Sequence, residues 1–300
     1  MARKVKPLIA LKNGDGIQWP EGKRIAVMLT FDFDAELLRH SVIGKKTIGF
    51  SDFSRGQYGP HEGLDRCLAL LDRQHLPATF FIPGKIIEEY PDAVKKIADR
   101  GLEIGYHGYE HDSTLGLSAD EERSNMEKSE ALIEKLCGHK PAGHRGPLDV
   151  LQECSMALLQ ERGYLYDSTL KDCDWPYIPQ ECGPRTPVIE LPTEPGIDDF
   201  SYYYFSYADE ATITCTYPND YVYGIWKDYF DELASEGDKV MVLKLHPQLI
   251  GRSGRIRMLE QLVLYMEQNG AWIVSCQEVA QYVRDFYEQK VPMPWRMSSV

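Results

Sequence analysis

The chain has 300 residues, of which 43% are hydrophobic and 26% charged, and this composition excludes a disordered or fibrous protein. Because α/β barrels reach this length as one domain, we expect residues 1–300 to form a single domain. The 33 Lys and Arg residues against 46 Asp and Glu give a net charge of −13, which repels phosphate backbones and anionic lipid surfaces. We therefore expect neither nucleic acid nor membranes as partners.

The sequence shows no sign of export from the cell. The basic residues Arg3, Lys4 and Lys6 precede an apolar run that is shorter than the roughly 7–15 residues of a secretory signal. No uncharged apolar stretch approaches the about 18 residues of a membrane span. The seven cysteines include no CxxC pair, which argues against a disulfide framework and against a thiolate zinc site. A cytoplasmic protein is expected.

Short apolar runs alternate with segments of helical periodicity along the whole chain. The predicted strands are 24–33, 77–84, 102–107, 143–146, 164–168, 188–192, 239–246 and 271–275. The predicted helices are 60–76, 86–100, 118–136, 150–162, 220–234, 256–268 and 276–289. Such alternation predicts a parallel sheet with right-handed crossovers. Since neither GxGxxG after the first strand nor GxxxxGK(S/T) occurs, nucleotide-binding sheets lose support, and we predict a (β/α) barrel.

One stretch, residues 172–218, departs from this alternation. It is rich in Pro, Tyr and acidic residues, and apart from the strand at 188–192 we interpret it as a long decorated loop that forms a lid or a subunit contact. Its aromatic residues Trp175, Tyr177 and the run 202–204 can close over a small flat ring or simply pack in the core. The apolar tail at 291–295 is a second candidate for contact with a partner subunit.

Acidic and imidazole side chains stand at the ends of two predicted strands. In a (β/α) barrel, functional side chains lie at the carboxyl ends of the strands. The first strand ends in TFDFDAE, where the period of two puts Asp32 and Asp34 on the same side. A later strand ends at His107, and His111 follows at a spacing that lets two imidazoles converge on one ion if the segment turns helically. One carboxylate and two imidazoles make the three-ligand arrangement of a catalytic divalent ion.

Three further strand ends carry polar side chains, namely Arg145 in GHRGP, Asp167 in YDS and His246 in LKLHP. Each motif has a structural alternative, because aspartates cap helices, HxxxH is common on surface helices, and arginines and histidines often pair with neighbouring groups. The carboxyl ends of the strands meet at one end of a barrel. Their convergence there favours a functional site.

These five motifs, in this order from residue 30 to residue 247, resemble those of the polysaccharide deacetylase superfamily, also called the NodB-homology or carbohydrate esterase family four. The resemblance implies a single distorted (β/α)7 TIM-like barrel over nearly the whole chain. It also implies a hydrolase that acts on carbon–nitrogen bonds other than peptide bonds. One divalent metal ion is implied as cofactor, with Zn²⁺ favoured over Co²⁺, Mn²⁺ and Ni²⁺.

The resemblance further implies a role for each site residue. The implied roles are general base for Asp32, metal ligands for Asp34, His107 and His111, orientation of the base for Arg145, general acid for His246 and support of the site for Asp167. In the polysaccharide-acting branch the two aspartates are adjacent, whereas here Phe33 separates them. The choice of base and ligand between Asp32 and Asp34 therefore stays open.

Other segments look like the branch that contains a peptidoglycan-deacetylase-like protein and cyclic imide hydrolases. They are the DxDAE form of the first motif, the FFIPG segment, residues 174–177 and the HPxxxGR pattern at 246–252. Sites in that branch are typically enclosed, often by a neighbouring subunit, which implies a homo-oligomer, either a dimer or a tetramer. Pro147, Trp175 and Tyr177 are the candidates for substrate contact.

We therefore expect a metal-dependent hydrolase of a small cytosolic amide, N-acyl compound or cyclic imide. The net charge, with no basic cradle apparent beyond Arg145, mildly favours neutral substrates over polyanions. The alternative among enzymes is a peptidoglycan or chitooligosaccharide N-deacetylase. The alternative of another class is a metal-binding protein without turnover.

Overall fold

Short strands and flanking helices build the described part of the chain, which comprises residues 7–9, 16–38, 41, 49–179, 188–204 and 216–290 of this computed structural model. The strands are β1 (Pro7–Ile9), β2 (Ile25–Asp32), β3 (Thr79–Ile82), β4 (Glu103–Tyr106), β5 (Gly143–His144), β6 (Tyr166–Asp167), β7 (Ile178–Pro179), β8 (Ile189–Glu190), β9 (Val240–Leu245) and β10 (Ala271–Ile273). The α-helices are Phe50–Tyr58, Leu64–Gln74, Gly84–Glu89, Pro91–Ala98, Ala119–Cys137, Glu153–Arg162, Phe200–Tyr203, Asn219–Glu236, Pro247–Ile250, Ser253–Gln268 and Cys276–Lys290.

The main sheet is parallel throughout and curls into a half-barrel. Its strand order is β10-β2-β3-β4-β5-β6-β8, and β9 pairs with β2. β9 pairs with residues 26–31 of β2, whereas β10 pairs with residues 25–27 and β3 with residues 30–32. Because these ranges overlap, β9 lies along one edge of β2, and β10 and β3 lie along the other. A parallel bridge between Asp198 and Lys244 links the chain beyond β8 to β9. The predicted barrel class is confirmed.

Side chains of β2 alternate between the two faces of the sheet. All eight of its residues are buried, as expected for a strand covered on both sides. The odd-numbered residues from 25 to 33 pack with the surrounding helices, whereas Ala26 and Met28 lie on the inner face with Val240 and Val242 of β9. The same alternation continues to Asp32 and Asp34, which therefore face the barrel interior.

The helical layer differs from the prediction in two places. The single helix predicted at 86–100 is two helices, Gly84–Glu89 and Pro91–Ala98, because Pro91 is compatible with the first turn of a helix but not with its interior. The helix Phe50–Tyr58 was not predicted, since its serines and Gly56 are weak helix formers. A Cβ at Gly56 would lie 2.4 Å from the Cα of Glu36, so close backbone packing holds this helix in place.

The predicted loop at 172–218 contains more regular structure than expected. Its described part includes β7, which pairs antiparallel with β1, the strand β8, a 3-10 turn at Pro195–Ile197 and the helix Phe200–Tyr203. Residues 180–187 and 205–215 of the loop and the tail at 291–295 lie outside the described residues. None of the helices that the structure describes has the length and apolarity needed to cross a membrane.

Close backbone contacts fix the turn that follows β9. A Cβ at Gly63 would lie 2.0 Å from the carbonyl oxygen of Pro247, and a Cβ at Gly251 would lie 2.5 Å from the Cα of Gly63. These glycines let the π-helical turn Gly59–Gly63 rest directly on the short helix Pro247–Ile250. The contact positions His246, which immediately precedes that helix.

We expect Gly63→Ala to lower the free energy of unfolding by about 1–3 kcal/mol, because the added methyl group has no space. Gly224→Ala is the matched control: no described atom lies within 4 Å of a Cβ there. As Gly224 lies inside the helix Asn219–Glu236, the control should gain up to about 1 kcal/mol. Urea unfolding, monitored by circular dichroism, measures the free energy of unfolding of both variants. A Gly63→Ala protein as stable as the parent would contradict the close contact.

Candidate active site

The carboxyl ends of several strands bring titratable side chains to one buried point of the barrel. Asp32 and Asp34 follow from β2, His107 from β4, Arg145 from β5 and His246 from β9. Each is at most 4% exposed. All five were predicted from the sequence as site residues, and the structure brings them together.

Asp34 lies between two imidazoles. Its Oδ1 is 3.5 Å from Nε2 of His107, and its Oδ2 is 3.6 Å from Nε2 of His111. A loop, rather than the helical turn expected from HxxxH, brings the imidazoles together, since Gly108 and His111 have positive φ angles of 73° and 58°. Gly108 is required there also because a Cβ would lie 2.7 Å from Cγ of Pro147. The three side chains offer ligand atoms within 4.8 Å of one another.

Hydrogen bonds orient both imidazoles towards Asp34. Nδ1 of His107 donates to the backbone oxygen of Arg145 at 2.7 Å. Nδ1 of His111 lies 2.8 Å from Oγ of Ser41, whose hydroxyl is also 2.6 Å from the backbone oxygen of His111. Because a hydroxyl that donates to a carbonyl accepts from a ring N–H, both Nε2 atoms are left free of protons and face the carboxylate.

The chemistry of this cluster fits a divalent cation. Neither oxygen of the Asp34 carboxylate has a hydrogen-bond partner among the described residues, although both are buried. Burial raises the pKa of Asp34 to about 8 and lowers the pKa of His107 to about 4. Two neutral imidazoles beside a carboxylate without donors form a site that a bound cation would satisfy. Asp34, His107 and His111 are the residues that could hold it.

A fully buried arginine holds the second aspartate. Nη1 of Arg145 donates to Oδ1 of Asp32 at 2.7 Å and to the hydroxyl of Thr30 at 2.9 Å. Its Nε and Nη2 donate to the backbone and side-chain oxygens of Ser168. Burial favours the neutral acid, but the charges of Arg145, His107 and His246 outweigh it and lower the pKa of Asp32 well below its usual range. Asp32 is therefore an oriented, ionised carboxylate.

His246 has an aspartate partner that the sequence analysis missed. Its ring Nδ1 donates to Oδ1 of Asp199 at 2.6 Å, and its backbone N–H donates to Oδ2 at 3.0 Å. Burial disfavours the imidazolium, but Asp199, together with Asp198 and Asp34, outweighs burial and raises the pKa of His246 to about 10. Nε2 of His246 lies 3.7 Å from Oδ2 of Asp34. His246 thus points a protonated ring nitrogen at the metal-ligand cluster.

Asp167 lies outside the metal-ligand cluster and acts on the segment that contains Arg145. Its Oδ1 accepts from Nδ1 of His144 at 2.6 Å and from the hydroxyl of Thr169 at 3.0 Å. The Thr169 hydroxyl in turn accepts the backbone N–H of Gly146 at 2.8 Å. Asp167 therefore fixes the backbone next to Arg145. Within the described chain it forms an ion pair with His144 and none with the histidine ligands His107 and His111.

The three candidates for substrate contact lie in different places. Pro147 packs against Gly108 in the loop between the two ligand histidines. Trp175 lies at the amino end of β9, the end opposite His246, where Lys239 Nζ is 4.8 Å from its ring centroid. Tyr177 is buried, forms an antiparallel bridge with Glu190 and donates to Asp172. Only Pro147 is next to the cluster.

This chain is similar to known proteins of one family. The polysaccharide deacetylase family model matches residues 52–166. A Helicobacter pylori protein named peptidoglycan deacetylase is 29% identical over 253 residues, which cover 76% of this chain and 86% of that protein. The crystal structure of a Mycobacterium smegmatis protein assigned to the polysaccharide deacetylases is 30% identical, covers 94% of this chain and 96% of that one, and superimposes with a TM-score of 0.84.

These similarities define a hydrolase of carbon–nitrogen bonds other than peptide bonds. The chain belongs to the polysaccharide deacetylase family. PuuE allantoinase shares its fold with a TM-score of 0.75 at 22% identity, over 91% of this chain and 93% of that one. The family predicted from the five motifs is therefore confirmed.

We expect Asp199→Asn to lower the pKa of His246 from its value of about 10, because the main charge that opposes burial is removed while Asp198 and Asp34 remain. Asp198→Asn is the matched control, with Oδ1 at 3.8 Å from the same ring nitrogen and a salt bridge to Lys244, so its effect should be smaller. NMR titration of the histidine ring carbons measures the pKa of His246 in both variants. An unchanged His246 titration in Asp199→Asn would contradict the pairing.

Proposed function

We propose that this protein is a metal-dependent hydrolase that acts on a small amide, N-acyl compound or cyclic imide in the cytoplasm. The observation that carries the proposal is the buried Asp34, His107 and His111 cluster, flanked by an ionised Asp32 and a protonated His246. Metal dependence is a property of the family, and the donor set here fits it. A catalytically inactive metal-binding protein is disfavoured, because a base and an acid both flank the cluster.

The geometry also favours one assignment of the two aspartates. Asp34 is the proposed ligand, because it lies between the imidazoles and has no donor partner among the described residues. Asp32 is the proposed base, because Arg145 occupies its Oδ1 while its Oδ2 lies 3.9 Å from Nε2 of His107 and so faces the cluster. Arg145 and, behind it, Asp167 are the proposed positioning residues.

A divalent ion held by these three ligands would polarise the substrate carbonyl and lower the pKa of a water molecule. Oδ2 of Asp32 is placed to accept a proton from the attacking water, whose oxygen forms a bond to the carbonyl carbon. The carbon–nitrogen bond then breaks, and Nε2 of His246 donates a proton to the departing nitrogen, which is a poor leaving group as an anion. Asp199 keeps His246 oriented and charged until that step.

The enclosure of the site supports a small substrate. The ligand, base and acid side chains are each at most 4% exposed, and PuuE allantoinase, a protein of the same fold, is named for a small ureide. The name of the Helicobacter pylori relative favours a second candidate, peptidoglycan N-deacetylation. A homo-oligomer that covers the site stays a prediction.

We expect His111→Ala to lose its bound metal and its activity together, by about 100-fold or more in turnover, because two ligands cannot hold the ion. His139→Ala, which removes an exposed histidine, should keep both. Elemental analysis of the purified variants gives the metal content, and a hydrolysis assay gives turnover. Full turnover by a metal-stripped His111→Ala protein would refute the ligand set.

The substrate proposal is tested by loading the protein with zinc, cobalt, manganese or nickel and screening cyclic imides, ureides, other small amides and N-acetyl sugars. We expect ring opening or amide cleavage of small compounds, because the site is buried. Release of acetate from glycan oligomers alone would instead establish the second candidate. Liquid chromatography with mass detection distinguishes the two products.

A further inference from the structure

A cavity of about 500 Å³ is lined in part by residues that are near neighbours in the chain of the proposed active-site residues. Ala35, the residue after Asp34, lines one side, and Gln248, two residues after His246, lines another. Tyr203 also lines it, from the helix Phe200–Tyr203 that follows Asp199. The cavity is therefore lined by chain neighbours of both the proposed metal ligand and the proposed acid.

Three arginines and one acidic residue, Asp52, line this cavity. Arg55 lies 3.8 Å from Asp52, whereas Arg252 and Arg255 form no ion pair with any carboxylate of the described residues. Arg252 lies over the ring of Tyr58 at 3.5 Å, and Arg255 lies over the ring of Tyr203 at 4.1 Å. Ring stacking thus orients both guanidinium groups without neutralising them.

Mutual repulsion among the arginines supports a missing counter-charge. Burial and the nearby charges of Arg55 and Arg66 lower the pKa of Arg252. Burial and the charges of Arg252 and Arg55 also lower the pKa of Arg255, although Asp199 and Tyr203 oppose this shift. A bound anion would relieve this repulsion.

An unsatisfied side chain faces the same space. Gln248 is 4% exposed, yet neither its Oε1 nor its Nε2 has a hydrogen-bond partner within the described chain. Buried amides normally find partners, so this one is set up for a ligand. Gly59 lies beside it, and a Cβ there would approach Oε1 to 3.2 Å.

A helix terminus adds to the positive potential. Arg252 is the N-cap of the helix Ser253–Gln268, and Arg255 is in its first turn, which has no acidic residue. The amino end of a helix carries the positive end of its dipole and favours anions. The dipole, the arginines and the amide of Gln248 therefore act on one cavity.

We propose that this cavity binds a carboxylate carried by the substrate, held by Arg252 and Arg255 with Gln248 as an additional donor. The inference rests on the proposed function and narrows it to acidic amides or N-acyl compounds. The proposal differs from the expectation from the net charge of the whole chain, which favoured neutral substrates. The planar, two-oxygen shape of a carboxylate matches the paired donors of a guanidinium.

Binding tests the proposal without turnover. Calorimetry on the metal-loaded protein with succinate should show binding that neutral succinamide does not match. Arg252→Gln and Arg255→Gln should each weaken succinate binding 10-fold or more, and Gln248→Leu should weaken it less. Arg123→Gln, which removes an exposed arginine paired with Glu161, is the control and should leave binding unchanged. Equal binding of succinate and succinamide, or undiminished succinate binding in both arginine variants, would overturn the proposal.

Activity on matched compounds gives a second readout. For an amide that the screen shows to be cleaved, a carboxylate-bearing form and its neutral primary-amide form are compared. Arg252→Gln should raise KM for the acidic form at least 10-fold and should change KM for the neutral form little. The metal content of the variant serves as the check on folding. An equal loss on both forms would show a structural role and refute carboxylate recognition. If no compound in the screen is cleaved, the proposed function fails while the calorimetric result still stands.

Discussion

The buried guanidinium of Arg145 is the interaction on which the site depends. Arg145 follows β5, yet it donates to Thr30 and Asp32 of β2 and to Ser168 after β6. Its backbone oxygen accepts from His107 after β4, and its guanidinium lies 4.2 Å from the ring centroid of Phe81 in β3. One residue, through its side chain and its backbone oxygen, therefore links five strand ends. Removing one partner of a buried ion pair typically destabilises a protein by about 3–5 kcal/mol, so this network leaves little freedom at the point where the proposed base stands.

The distribution of buried charge follows from that network. Asp32 is paired with Arg145, Asp199 with His246, and Asp198 with Lys244. Asp34 is different, because the pKa values of its neighbours His107 and His111 are lowered by burial, and the third imidazole, His246 at 3.7 Å, is already paired with Asp199. An unpaired buried carboxylate is strongly unfavourable, and so the need for a cation arises at one residue only among these four aspartates.

Much of this site was predictable, because a period of two is a property of the sequence. Once β2 is recognised, Asp32 and Asp34 must share a face with Ala26 and Met28, and the carboxyl ends of parallel strands must meet. Asp199 was not predictable by the same rule, since it follows the 3-10 turn Pro195–Ile197 in an irregular segment. Its signal, a pair of acids before an aromatic run, occurs in many surface loops.

The same limit explains why the arginine cavity escaped the sequence analysis. Arg55, Gln248 and Arg255 come from three separate helices, and they are brought to one cavity by the fold and not by a sequence pattern. A net charge of −13 describes the whole surface, whereas the potential in a cavity depends on the few charges that line it. A cation at Asp34 and guanidinium groups beside Ala35 would define two fixed points along a bound molecule. Such a site would select compounds by the distance between an amide carbonyl and a carboxylate. The net charge of the protein contains no information about that distance.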